Sequence, residues 1–250
     1  YEILLRDFVH PHSYAVLQDT LDYLQRLGIN AIQLMPVQEF EGNEGWGYNP
    51  SYHMALDKDY GSADALRALV EECHSRGMAV ILDVVYNHAF GQSPLALLYW
   101  DGAQNRPAAN NPWLNPIPKH DFNVGNDFNH ESPATKYFVK RVISWWMQTY
   151  GIDGFRFDLA SGFTQRNSLG NFNEWARYDT SRINNIQEYA DLMWSIDPES
   201  YVILENFVDN SERKELSSRG MMLWGNMSIE YGQASKGFGG SDLGGSWWEH

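Results

Sequence analysis

Three apolar runs, each closing on charged or polar side chains, constrain this chain more than any other feature. They are Asp83-Val-Val-Tyr-Asn-His88, Gly154-Phe-Arg-Phe-Asp-Leu159 and Val202-Ile-Leu-Glu-Asn206. A short apolar run bounded by polar residues reads as a buried strand. A carboxylate at the C-terminal end of such a strand reads as a site residue on the top face of a parallel barrel. Taken in order, the three strands bring Asp83, His88, Arg156, Asp158 and Glu205 towards one spot.

The rest of the chain alternates strand and helix, the pattern of parallel βαβ units. Strands are expected at Tyr1–Phe8, Ala31–Val37, Ala79–Val85, Gly154–Leu159, Tyr201–Glu205 and Met221–Gly225. Between them, Leu17, Leu21 and Leu24, then Leu66, Leu69, Val70 and Cys73, recur at helical spacing and stop at Gly28 and Gly77. Ser132-Pro133 starts a helix carrying Phe138, Val142, Trp145 and Trp146, and Ile183, Ile186, Ala190 and Met193 mark another. Residues Glu39 to Asp59 read as a polar, glycine-rich loop. The stretch 89–132, rich in Asn and Pro, reads as a long loop or small subdomain inserted after strand 3. An open doubly wound sheet would carry its polar residues at a topological switch point. Here they follow strands 2, 3, 4 and 5 in succession, which favours a TIM-type (β/α)8 barrel. With about six β/α units found of the eight a closed barrel needs, residues 1–250 read as a partial barrel.

The net charge of −14 disfavours a phosphate backbone as partner, so no nucleic acid is expected. The single cysteine, Cys73, excludes an internal disulfide and sits on an apolar helical stripe. No run reaches the ~18 apolar residues of a membrane span. No signal peptide is recognised, and a chain that starts at Tyr1 inside an apparent strand reads as an excised piece, so this says nothing of location.

The carboxylates carry the chemistry. Asp158 lies two residues after Arg156, on the same side of a strand. Arg156 is therefore expected to lower its pKa and hold it ionised, as a covalent nucleophile requires. Glu205 follows Val202, Ile203 and Leu204, and desolvation is expected to raise its pKa, as suits a general acid. Singly, these are an ion pair, a strand-end residue and a loop histidine. Together they match the paired carboxyls of glycoside hydrolysis, retaining if about 5–5.5 Å apart.

The three segments resemble the short characteristic regions of the α-amylase superfamily, glycoside hydrolase family 13. Gly45-Trp-Gly-Tyr-Asn-Pro50 with Tyr60-Gly61, and Asp127-Phe-Asn-His130, resemble further segments of that family in its second and third loops. The resemblance implies a barrel acting on α-1,4 and α-1,6 glucosidic bonds of starch- and glycogen-like glucans. It makes Asp158 the nucleophile, Glu205 the acid/base and Arg156 the residue that positions the nucleophile. His88 and Tyr48 would bind the sugar at the cleaved position, Tyr48 by stacking, and Asp83 would be architectural. The resemblance favours an extracytoplasmic location, whether secreted, periplasmic or at the cell surface.

Two departures stand out. The family's third carboxylate, in a His-Asp pair after the seventh strand, has no counterpart, since His120-Asp121 lies in the third loop. Where many relatives carry Lys-His after the nucleophile, this chain has Ser161 and Gly162. Calcium is a possible cofactor by resemblance, through Asn87, with Asn123, Asn126, Asp127 and Asn129 as further oxygen donors or plain turn residues. No metal ligand is assigned, and His53, His88 and His120 lack the spacing of a zinc motif. Trp46, Tyr52, Trp100, Trp113, Trp224 and Trp247 fall near loops and could line a sugar cleft or pack structurally. The reading is a retaining α-amylase-like hydrolase of α-glucans. The alternatives are a branching or debranching relative and an inactive glucan-binding fragment.

Overall fold

Six short parallel strands form the central sheet of the computed structural model, which describes residues 1–42, 44–122, 125–225 and 227–240. They are β1 (Glu2–Ile3), β2 (Ala31–Leu34), β3 (Ala79–Val84), β4 (Gly154–Phe157), β5 (Tyr201–Leu204) and β6 (Met222–Leu223). Each pairs in parallel with the next in chain order. That order has no reversal point, so the doubly wound alternative is excluded and the sheet is an arc of a (β/α) barrel. Among the described residues β1 and β6 are its edges and the arc does not close.

Helices cover the outer face where the sequence places them. Ala63–Ser75 is capped by Ser62 and buries Leu66, Leu69, Val70 and Cys73. Burial pushes the Cys73 thiol up to about 12, as befits a packing residue. Pro133–Tyr150 begins with the Ser132 hydroxyl accepting from the Ala134 amide and ends at Gly151, in the left-handed conformation. Thr180–Ile196 buries Ile183, Ile186, Ala190 and Met193. Gly154 lets β4 and β5 approach, since a Cβ there would lie 2.3 Å from the Tyr201 carbonyl oxygen. No helix among the described residues is long and apolar enough to cross a membrane.

Two segments differ from expectation. Only Glu2–Ile3 of Tyr1–Phe8 is strand, and Leu5–Phe8 turns into a helix. Leu5 and Val9, four apart, are both buried, so the helical period satisfies the core better than continued extension. The stretch from Glu39 to Asp59 is not all loop, because Gln38–Phe40 pairs antiparallel with Pro50–Leu56 in an irregular register. Those register shifts break the strict alternation by which a strand is recognised. Within 89–132, His88–Ala89 pairs with Asn126–Asp127 and Trp100–Asp101 with Arg106–Pro107. Ala89, Ala96, Leu114 and Phe128 form a small apolar cluster there, apart from the main core.

Candidate active site

Register sets the heights of the side chains. Arg156 on β4 stands beside Asp83 on β3. One step beyond the strands, the Asp158 amide donates to the Val84 carbonyl and the Glu205 amide to the Phe157 carbonyl. Asp158 and Glu205 are therefore level on adjacent strands, one layer above Arg156 and Asp83.

The Arg156 guanidinium, 2 % exposed, joins them all. Its Nη1 donates to both Asp83 carboxylate oxygens at 2.9 and 3.0 Å and to Asp158 Oδ1 at 2.9 Å. Its Nη2 lies 2.9 Å from Glu205 Oε2. The Tyr48 hydroxyl donates to Asp83 Oδ2 at 2.7 Å. The Leu159 amide donates to Glu205 Oε2 at 2.9 Å from a residue with φ 45°, a left-handed conformation costly for leucine. The Trp224 ring stacks on the guanidinium with its centroid 4.2 Å away. Asp83 is fully buried, while the Asp158 and Glu205 side chains stay 16 % and 19 % exposed, open to a ligand from above.

Three carboxyls share one cation. Burial pushes Asp83 up to about 6 against the pull of Arg156. Burial and the Asp83 charge push Asp158 up to about 8, outweighing Arg156, and a hydrogen bond with the Glu205 carboxyl adds to the rise. The expected lowering of Asp158 is thus reversed, because burial first, and then the acids on both neighbouring strands, outweigh Arg156. Asp158 therefore retains a proton near neutral pH. The Arg156 guanidinium is held charged, the three carboxylates overcoming the effect of burial.

His88 reaches this cluster indirectly. Its Nε2–H donates to the Tyr48 carbonyl at 2.8 Å, so Nδ1 accepts from the Asn87 amide at 3.1 Å. Burial lowers its pKa and the ring stays neutral. Tyr48 is half-buried, its ring centroid 6.0 Å from the guanidinium. Of the aromatic residues singled out in sequence, Trp224 joins the site. Trp46 and Tyr52 are exposed, Trp113 packs edge-on against Tyr99, and Trp247 lies outside the described residues.

Among the described residues, the oxygen donors considered for calcium do not converge on one point. Asn87 Oδ1 accepts from His120 Nε2 at 3.1 Å, and the same nitrogen lies 3.5 Å from Asp127 Oδ1. Asp127 Oδ2 accepts from Asn115 at 2.7 Å and from the Lys119 amide at 3.1 Å. Asn126 donates to the Ala89 carbonyl, Asn129 accepts from the Glu131 amide, and Asn123 lies outside the described residues. An imidazole stands between Asn87 and Asp127, where a hard cation would want oxygens. The residues present therefore do not fit a calcium shell. No cluster of three or more His, Cys, Asp or Glu suited to a metal occurs among the described residues, and His53 is committed to the Val85 carbonyl. Gly162 makes room for the His120–Asn87 contact, since a Cβ there would lie 1.8 Å from Asn87 Oδ1.

Sequence reasoning missed the Leu159 amide, and nothing in residue type signals it. It also missed Asn206, Arg182 and Glu212, which are buried behind the site.

Fold and site together define the carboxylate-bearing face of a parallel (β/α) barrel. A sequence profile of the α-amylase catalytic domain matches residues 15–95. The chloroplastic isoamylase SU1 of Zea mays is 33% identical over 201 residues, covering 68% of this chain and 25% of that protein. Among solved structures, Amy13B of Eubacterium rectale superposes with a TM-score of 0.73 at 23% identity, over 96% of this chain and 51% of that one. An Anoxybacillus sp. pullulanase solved in complex with maltotetraose gives 0.65 at 25% identity, over 82% and 32%. The chain belongs to the α-amylase superfamily. It spans about a quarter of the length of the first curated relatives it matches.

Proposed function

We propose that this chain carries the nucleophile and the acid/base of a retaining hydrolase acting on α-glucans. The observation that carries the reading is the pairing of Asp158 and Glu205, level on adjacent strand ends and bridged by Arg156. Carboxyls bridged by a single guanidinium support the retaining geometry, because inversion needs room for a water between acids ~6.5–9.5 Å apart. In the first step an Asp158 carboxylate oxygen attacks the anomeric carbon. The bond to the glycosidic oxygen breaks, and that oxygen takes the proton held by Glu205. In the second, Glu205 removes a proton from water, whose oxygen displaces Asp158 from the sugar. Arg156 holds the two acids in register throughout. Tyr48 offers its ring to the sugar at the cleaved position, and His88, buried with both ring nitrogens engaged, holds Tyr48 in place through its carbonyl.

The isoamylase and pullulanase among the relatives favour a second reading of the same chemistry, debranching of α-1,6 linkages. Reducing-sugar release from amylose and from pullulan by the wild type and Glu205→Gln tests both. We expect release by the wild type and a loss of at least ~10² with Glu205→Gln. The preferred polymer distinguishes the readings, and NMR of the first product should show the α-anomer. Equal rates for the two proteins would leave a glucan-binding role without turnover.

A further inference from the structure

Behind the two acids lies a second buried ion pair. Arg182, near the start of Thr180–Ile196, and Glu212, in Asn210–Ser218, are 1 % and 0 % exposed. They meet in a fork, Nε to Oε1 at 2.7 Å and Nη2 to Oε2 at 2.6 Å. The remaining guanidinium hydrogens go to backbone carbonyls: Ser161 at 3.2 Å, Trp175 at 3.4 Å and Arg177 at 2.9 Å. Glu212 in turn accepts from the Asn206 amide group at 3.2 Å and from the Asp179 backbone amide at 2.9 Å.

What these bonds tie together is specific. Ser161 is in the short turn Ala160–Gly162, immediately after the Leu159 amide that binds Glu205. Asn206 is the residue after Glu205. One fork therefore grips the segment leaving Asp158 and the segment leaving Glu205. A buried ion pair adds little net stability over apolar residues of the same size, so stability alone does not account for it. Its fixed directions and complete hydrogen bonding suit the setting of a distance.

We propose that Arg182 and Glu212 form a positioning clamp that, through Ser161 and Asn206, sets the separation and mutual orientation of Asp158 and Glu205. The inference rests on reading those two acids as the reacting pair. Arg182, Glu212 and Asn206 are positioning residues, since none of them meets the reacting atoms.

The test is a carboxyl-carbon NMR titration of the intact protein labelled at Asp and Glu. The two signals are assigned by their loss in Asp158→Asn and Glu205→Gln. Asp83, Arg156, the Tyr48 hydroxyl and the Leu159 amide face the pair and are themselves unsubstituted in every clamp variant. Asn206→Ala cuts the link to Glu205 while leaving the Arg182–Glu212 fork. We expect it to melt within a few degrees of the wild type while the Asp158 midpoint falls by about one pH unit as the acids part. Glu212→Gln should shift the midpoint further, and if it does not fold, Asn206→Ala decides alone. Wild-type titration in Asn206→Ala would overturn the clamp. A clamp confirmed in this way in a protein that cleaves no glucan would instead overturn the proposed reaction.

Discussion

Arg156 and Asp83 stand side by side on adjacent strands, and one guanidinium nitrogen meets both Asp83 oxygens, at 2.9 and 3.0 Å. The buried acid holds the arginine from below. The fork is left aimed upward at Asp158 and Glu205, so the layer beneath the reacting pair fixes the layer that reacts.

That geometry needs a fork. In Arg156→Lys a single ammonium cannot reach Asp158 and Glu205 along separate directions while still pairing with Asp83. We expect a folded protein with kcat/KM for a chromogenic maltooligosaccharide lowered by about 10²-fold or more. A change below about threefold would show that charge alone suffices.

The raised carboxyls make stability depend on pH with a definite sign. Asp83 rises to about 6 and Asp158 to about 8. For an acid whose pKa is higher folded than unfolded, the folded state binds more protons between the two values. Its favourable contribution is complete below the unfolded pKa and is lost as pH climbs through the folded one. Asp158→Asn removes the cost of ionising Asp158 in the site. It should therefore be more stable than the wild type at pH 8, by several kcal/mol, with the advantage gone near pH 4. Urea unfolding of both proteins at the two pH values measures this. A difference that does not vary with pH would contradict it.

Gly162→Ala drives a methyl group to 1.8 Å from Asn87 Oδ1 and 2.9 Å from His120 Nε2. Asn87 and His120 are fully buried and have no room to yield. A destabilisation of about 2–3 kcal/mol is expected in denaturant unfolding. A neutral effect would mean that the third loop shifts freely over β4.

Because His120 occupies the space between Asn87 and Asp127, chelation should leave the melting temperature unchanged. Melting curves in EDTA and in millimolar calcium are expected to coincide. A rise of several degrees with calcium would show that oxygens, not the imidazole, hold that junction.

Much of the site could be read in the chain itself, and the reason is local. Arg156 and Asp158 share a face by the two-residue period, and Asp83 and Glu205 lie at or just past the ends of apolar runs. Whatever depended on neighbours brought in by folding could not be read there. Counting only Arg156 beside Asp158 gives the wrong direction for its pKa, since burial, and then Asp83 and Glu205 arriving from other strands, outweigh it. Leu5–Phe8 satisfies two periods at once, and only the packing of Leu5 with Val9 decides between them. The pairing of Gln38–Phe40 with Pro50–Leu56 hides behind shifted register. The pairing of Arg182 with Glu212 spans 30 positions and carries no motif.

The left-handed turn at Leu159 gives the backbone a share in selecting the proton's place. Its amide points at Glu205 Oε2 whatever side chain residue 159 carries, proline apart, so that oxygen is held as an acceptor and, in the proposed reaction, the transferable proton falls to Oε1. Replacement at 159 by any residue that keeps the amide hydrogen should leave this bias intact, and a proline or a change that straightens the turn should remove it.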